Sequence, residues 1–377
     1  MSTRIACRNM VTGERDEACE LTLVIDEGRI LAVEEGIAPE AVLLEGWVVP
    51  GFVDTHCHGA AGADFTDPDV DDVLRAVNHH RRHGSTTILA STVASSAETL
   101  VRQIEHLRLL VETSELAGIH VEGPFLEPCR AEDESPAGQG DVIDAILEAS
   151  HGSVRMVTLT PERPHIKHAV ERLRRAGVTV ALGHTDADAE LTRQAVDAGM
   201  TVATHLFNAM REIKHLVPGP VPVLLNDPRV TVELICDGVH VAPEVIRMAI
   251  NVSNAQRVSL VTDAMSACGH ADGSYLVGEM PTTVVDGVAR VLNLDETPGA
   301  IAGSTLTMDR AFAAVVGLGF SFVEASRMAS TTPARTHGLD QVGTLRRGAW
   351  ADLCQLDDSG QLQAVMRRGE WLDRPTT

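Results

Sequence analysis

The sequence is short of cations: 31 Lys and Arg stand against 53 Asp and Glu, a formal net charge of −22. A surface of that sign repels phosphate backbones and anionic bilayers, so neither a nucleic acid nor a membrane is expected as a partner. No apolar run approaches the length that spans a bilayer. The segment from Met1 to Asn9 has no apolar stretch of the kind that marks a secretory signal. The seven cysteines include no C-x-x-C pair, and such an odd, scattered set reads as reduced thiols in a cytoplasm. There is no internal repeat and no low-complexity tract. What remains is a chain of 377 residues, 44% hydrophobic and 22% charged. That is the composition of a globular protein with two domains, or one large barrel with an attachment.

The two ends share a texture of short strands. Leu21 to Val33 holds two apolar stretches split by Asp26-Glu-Gly, a hairpin signal. Near the C-terminus, Gly343-Thr-Leu, Ala351 to Leu356 and Leu362 to Met366 are strand-like pieces between turns. Residues 1–49 and 340–377 are therefore expected to pair into one small β domain. Another hairpin is expected within 275–295, turning at Asp286-Gly287. Residues 50–339 read differently. Buried-type strands at Phe52–His58, Thr86–Val93, Ala117–Glu122, Val154–Thr160, Val178–His184, Thr201–His205, Thr231–Cys236 and Val258–Asp263 alternate with helical stretches. Examples of the helices are Asp69–His83, Ala97–Glu112 and Ile166–Ala176. Eight strands with crossover helices predict an α/β fold, a (β/α)8 TIM-type barrel.

The ionisable residues collect at the ends of those strands. In a strand, residues two apart face the same side, so His56 and His58 can hold one metal together. Glu122 closes the third strand, His184 the fifth, His205 the sixth and Asp263 the eighth. Barrel active sites lie at this C-terminal face. Taken singly, each of these residues reads as a polar patch or a hydrogen-bonded histidine. Together they suit Zn²⁺ or another borderline divalent cation, one or two ions per subunit. Such an ion lowers the pKa of bound water and polarises a carbonyl, and Asp263 is the extra carboxylate that moves a proton. The implied chemistry is metal-assisted hydrolysis of an amide-like bond. Cys57 faces away from the histidine pair and reads as packing, Cys129 as an incidental loop thiol. His79, His80 and His83 read as part of a solvated helix, and Asp71-Asp72 as helix N-terminal charges.

These motifs resemble the N-acetylglucosamine-6-phosphate deacetylase family of the amidohydrolase superfamily. The matching segments are Pro50 to Gly59, His120-Val-Glu-Gly-Pro-Phe-Leu, Gly183-His-Thr-Asp-Ala, Thr204-His-Leu-Phe-Asn-Ala-Met, Asp237-Gly-Val-His, Val261-Thr-Asp-Ala-Met, Ala302-Gly-Ser-Thr-Leu-Thr-Met and Thr332-Pro-Ala-Arg. They run in family order through nearly the whole chain. The resemblance implies a barrel plus a small β-sandwich from both termini, as a homodimer. It implies Glu122, His184 and His205 as ligands of the principal metal, with Asp263 as acid and base. It makes a second metal at His56 and His58, bridged by Glu122, an expectation. Asn208, Ala209, Asp237, His240, Ala302 and Ser304 map to the family's positions around the sugar and its phosphate.

Two features depart from the family pattern. The family's His, some twelve residues after the metal-binding Glu, is missing, and Ala137-Gly-Gln139 is the nearest replacement. The family's phosphate-binding Arg before Pro218-Gly219, often contributed across the dimer, is Leu216 here, with Lys214 or Arg211 as candidate substitutes. Leu cannot pair a phosphate, and Lys lacks the bidentate geometry of Arg. The expected activity is deacetylation of an N-acetyl amino sugar, most simply N-acetylglucosamine 6-phosphate to glucosamine 6-phosphate and acetate. The alternatives are a related amidohydrolase acting on an unphosphorylated sugar or another amide, and an inactive barrel kept for binding.

Overall fold

The computed structural model describes residues 2–93, 96–123, 126, 136–278, 280–293, 295 and 297–372, leaving aside the side chains of 136–141. Cys129 and the Gln139 side chain lie outside the described residues. Strands form at all eight expected places: β1 (Phe52–Cys57), β2 (Ser85–Thr92), β3 (Gly118–Glu122), β4 (Val154–Leu159), β5 (Thr179–Leu182), β6 (Val202–Ala203), β7 (Thr231–Ile235) and β8 (Val258–Val261). They pair in sequence order as one eight-stranded sheet, each neighbour parallel to the last. Their residues are buried almost throughout, as parallel strands covered by helices must be.

Three strands stop earlier than the sequence suggests. His184 (φ 47°), His205 (φ 29°) and Asp263 (φ 48°) take left-handed backbone conformations just beyond β5, β6 and β8. Strand pairing cannot continue through that region, and a residue with a Cβ enters it at a cost. The ladder also ends between β8 and β1, so the barrel is nearly closed. That seam is stitched at its top by main chain, with Asp263 N–H donating to His56 O at 2.8 Å and His58 N–H to Ala264 O at 2.8 Å. Below, a side chain stands in: the Asp54 carboxylate accepts from the Thr262 hydroxyl (2.6 Å) and the Thr262 N–H (3.2 Å).

Helices fill the crossovers. In α1 (Val70–Arg82), Asp69 caps the first turn by accepting from Asp71 N–H, and Asp71 and Asp72 lie in that turn, where negative charge is favourable. The reading of His79, His80 and His83 as a solvated face is corrected here. Val73, Ala76, Val77 and His80 share the buried face, spaced as one helix stripe, and His80 is fully buried. His83 binds Asp309 at 3.0 Å. Thr332-Pro-Ala-Arg proves structural: the Thr332 hydroxyl donates to Ala255 O at 2.9 Å, and Arg335 bonds the Gln256 carbonyl.

Both ends of the chain build one seven-stranded sheet. Its order is Glu370–Leu372, Leu362–Arg367, Leu353–Leu356, Val42–Pro50, Thr3–Met10, Cys19–Asp26, Arg29–Glu35. All pairs are antiparallel except Thr3–Met10 with Val42–Pro50. Its core of Ile5, Met10, Leu21, Leu23, Ile30 and Leu353 is separate from that of the barrel. The hairpin read at Asp26-Glu-Gly has Glu27 and Gly28 both at positive φ, the type I′ geometry that matches strand twist. The hairpin at Asp286-Gly287 belongs to a four-stranded antiparallel sheet, Gly273–Val277, Met280–Val285, Val288–Leu292 and Pro298–Ile301. Only that hairpin was legible in the sequence. Its last strand delivers Ala302 to Ser304 to the mouth of the barrel.

Buried histidines away from the barrel mouth set an acid limit on the fold. Burial pushes His337 and His80 down to about 4. Between pH 6.5 and 4 the unfolded chain binds a proton at each and the folded chain does not, so stability falls with pH. Each contributes a loss of about 2 kcal/mol between pH 7 and pH 5. The expected result is that His337→Gln loses about 2 kcal/mol less than the parent over that interval. Urea denaturation at both pH values measures it, and an equal loss in the two proteins would contradict the assignment.

Candidate metal centre

The site is built on Glu122, whose two oxygens face two groups of imidazoles. Oε1 lies 3.1 Å from His184 Nε2 and 3.2 Å from His205 Nε2, and Oε2 lies 3.2 Å from His58 Nε2 and 3.5 Å from His56 Nε2. Within each group the ring nitrogens also converge: His184 and His205 Nε2 are 3.1 Å apart, His56 and His58 Nε2 3.2 Å. Neutral imidazoles that approach this closely point lone pairs at one another, an arrangement that requires a cation or a proton between them. Two nitrogens on one tetrahedral Zn²⁺ sit at about this separation, given bonds of about 2.0–2.1 Å. Each group therefore fits an ion, and Glu122 is the donor they share. The structure thus brings together all five residues singled out as metal ligands.

Asp263 closes the arrangement, its Oδ1 3.4 Å from His56 Nε2 and 3.3 Å from His58 Nε2. Without an ion, protonated histidine supplies the positive charge. Burial works against it, but the Glu122 and Asp263 carboxylates hold His56 well above its ordinary value and His58 at about 9. Reciprocally, burial raises Asp263, and the charges of His56 and His58 more than offset this and bring it to about 2. Glu122 is likewise held well below the carboxylate range, burial being overcome by His56, His184 and His205. His184 is the open member of the set, its side chain 28% exposed against 0–6% for the other three imidazoles. The centre is thus reached from its side.

Cys57 points away from the pair, as expected, with Sγ 3.1 Å from His80 Nε2. That nitrogen donates to Gly59 O at 3.0 Å, and burial pushes the thiol well above its ordinary value. Asp54, Cys57 and His80 lie close enough to hold an ion, but Asp54 is engaged at the barrel seam and His80 keeps its Nε2 proton.

The sugar-site candidates lie on two sides. Asn208 Nδ2 donates to His205 O at 3.2 Å, and Ala209 O accepts from Thr185 N–H at 2.9 Å, tying the loop after β6 to the loop after β5. Asp237, His240 and Ser304 line a cavity of about 160 Å³ shared with Ile301 and Arg310. Asp237 locks its turn by accepting from Val239 N–H, His240 N–H and His240 Nδ1 at 2.8, 2.9 and 2.7 Å. His240 Nε2 is buried with no hydrogen-bond partner among the described residues, a free polar group beside the cavity. Ser304 N–H donates to Asp263 O at 2.7 Å, and Ala302 N–H to Ala289 O at 3.2 Å. Arg211 is held by Asp186 through two bonds of 2.9 and 2.6 Å. Leu216 is 82% exposed.

Sequence reasoning missed the polar layer beneath the ligands. Glu233 bonds His56 Nδ1 at 3.1 Å. His120 bridges Ser91 (2.9 Å) and Thr158 (2.8 Å), and its ring meets His56 edge-on at 4.5 Å. Glu162 accepts from the Thr185 hydroxyl and the Asp186 N–H, both at 2.6 Å, beside His184. The available signal was a lone carboxylate in an apolar strand, Thr231-Val-Glu-Leu-Ile, which burial obliges to find a donor.

A barrel with candidate metal ligands converging at its C-terminal mouth is the architecture of a metal-dependent hydrolase, and the chain belongs to the amidohydrolase family, whose model matches residues 47–372. Its relatives there are amino-sugar phosphate deacetylases, as the motifs implied. It is 33% identical to the N-acetylgalactosamine-6-phosphate deacetylase of Escherichia coli O157:H7, over 85% of this chain and 86% of that one. It is 31% identical to the N-acetylglucosamine-6-phosphate deacetylase of Lysinibacillus sphaericus, over 94% and 93%. The structure of the Mycobacterium smegmatis N-acetyl-D-glucosamine-6-phosphate deacetylase, in complex with that sugar phosphate, superposes with a TM-score of 0.91 at 43% identity, covering 98% and 99% of the two chains. The protein is thus a hydrolase acting on an amide. No helix among the described residues is long and apolar enough to cross a membrane.

Proposed function

We propose that the protein removes the acetyl group of N-acetylglucosamine 6-phosphate, giving glucosamine 6-phosphate and acetate. The observation that carries this reading is Glu122 set between two imidazole pairs with Asp263 beside them. In this reading His184, His205 and Glu122 hold one divalent ion, and His56, His58 and Glu122 a second, Zn²⁺ being the ion that suits the donors. Bound there, such an ion polarises a carbonyl oxygen and lowers the pKa of water. Asp263 takes the proton of the attacking water and hands it to the amide nitrogen, which leaves as the amine. Asn208, Ala209, Asp237, His240, Ala302 and Ser304 surround the sugar, with His240 Nε2 offered to a polar group of the substrate. The domains divide as residues 1–49 with 340–377, and 50–339. The protein works as a homodimer in the cytoplasm, a compartment that its described cysteines, all free, support.

Acetate release from N-acetylglucosamine 6-phosphate, its galactosamine epimer and the unphosphorylated sugars tests the reading. No release from any of them by metal-loaded protein would reduce it to a binding barrel. The phosphate preference is expected to be weaker than the family pattern implies, because Leu216 stands where a phosphate-binding Arg is expected. Arg211 is occupied by Asp186, which leaves Lys214 as the basic side chain of that segment. One charge-assisted bond is worth about 1.5–3 kcal/mol, so Leu216→Arg should raise the ratio of kcat/KM for the phosphorylated over the free sugar by roughly ten- to a hundredfold. A strong preference in the parent that neither Leu216→Arg nor Lys214→Ala alters would place the phosphate elsewhere.

A further inference from the structure

Glu233 sits in the middle of β7 and points into the barrel, 1% exposed. A buried carboxylate needs donors, and its Oε2 has two. It accepts from His56 Nδ1 at 3.1 Å and from the main-chain N–H of His205 at 3.3 Å. The two donors belong to opposite halves of the metal centre, on β1 and just past β6. Oε1 has no hydrogen-bond partner among the described residues. A carboxylate facing Nδ1 keeps a proton on that nitrogen, so that Nε2, which faces Glu122 and Asp263, is the nitrogen that gives up its proton to an ion. The buried Nδ1 atoms of His58 and His205 have no such partner among the described residues. His56 is therefore the one of these three rings whose tautomer is set by a carboxylate.

We propose that Glu233 is a positioning residue for the second ion: it fixes the tautomer and orientation of His56 and links that half of the centre to the half that carries His205. The inference rests on the reading of the site as one that holds metal. Carboxylates that orient a ligating histidine change metal affinity by about 10- to 100-fold when removed. The ion held by Glu122, His184 and His205 keeps all its side-chain ligands when Glu233 is replaced.

The test uses the purified full chain and Zn²⁺. Metal per chain is measured by mass spectrometry after dialysis against buffered free Zn²⁺, for the parent, Glu233→Gln and Glu233→Asp. Gln keeps the shape of Glu, so folding is preserved, and thermal unfolding is followed alongside. In Glu233→Gln the weaker ion should lose roughly 10- to 100-fold in affinity while the tighter ion stays within about twofold. The ¹⁵N spectrum of the metal-free protein, taken at a pH high enough to leave the His56 ring neutral and with its signal assigned by its loss in His56→Gln, should show an Nδ1-protonated ring in the parent and a mixture of tautomers in Glu233→Gln. Glu233→Asp, which retains the charge on a shorter arm, should fall between the two. A merely structural role would lower the unfolding temperature and leave stoichiometry and tautomer as they were, and that result overturns the proposal. If the parent itself binds a single ion at saturating Zn²⁺, the two-ion reading fails on its own. The tautomer then decides about Glu233: an unchanged ring in Glu233→Gln overturns the positioning role, and a changed one upholds it.

Discussion

Asp263→Asn is expected to lower kcat by about a hundredfold or more while KM stays within a few fold. The substitution keeps the shape of the side chain and removes its ability to carry a proton. In the metal-free chain the charged histidines beside it hold the parent carboxyl below its ordinary value against the effect of burial, and in the proposed mechanism a cation in their midst takes over that role, so the carboxylate begins the cycle as the base. An amide nitrogen leaves poorly unless protonated, and the same carboxyl, having collected the proton of water, is positioned to deliver it. Because Asp263 borders His56 and His58, metal content has to be measured on the same preparation. A variant with full metal and near-parental kcat would remove Asp263 from the mechanism.

Replacing a proposed ligand of the principal ion is expected to have an effect of similar size by a different route. His184→Ala and His205→Ala each take one imidazole from a proposed site with three protein ligands, and after dialysis both should retain less than about a tenth of the parental occupancy of that ion while the ion at His56 and His58 remains. Turnover should fall on the order of a hundredfold or more, and excess Zn²⁺ should restore part of it. Glu122→Gln is the more severe case, since its two oxygens serve both imidazole pairs, and it should deplete both ions together. Unchanged occupancy in both histidine variants would disprove the ligand assignment.

The barrel and the convergence of its candidate ligands were legible because each strand and its chemistry are adjacent in the chain. His56 and His58 share a face through the two-residue period of a strand. Glu122, His184, His205 and Asp263 each end an apolar run. What lay hidden depends on contacts between distant segments. Glu233 acquires its meaning from His56, 177 residues away in sequence. His80 looked solvated among neighbouring histidines, yet it falls on the apolar stripe of its helix and reaches Gly59 and Cys57. The four-stranded sheet over the barrel mouth showed only its Asp286-Gly287 hairpin, because its outer strands, Gly273–Val277 and Pro298–Ile301, are short and exposed and carry little apolar patterning. The early ends of β5, β6 and β8 were equally invisible, since nothing in the composition of a histidine or an aspartate announces a positive φ.

If His184, His205 and Asp263 carry the proposed chemistry, those three left-handed residues set this protein's working parts against its durability. A non-glycine residue held at positive φ costs on the order of 1–3 kcal/mol in the folded chain, and here the positions concerned are His184, His205 and Asp263. Glycine, or more weakly asparagine, relieves that strain. A variant library sorted only for thermal resistance of the metal-free protein would therefore gather such replacements at these positions and discard catalysts first. Any effort to harden the enzyme has to hold these three fixed and look for its gains in the terminal sheet and the outer helices, where shape and chemistry make no competing demands.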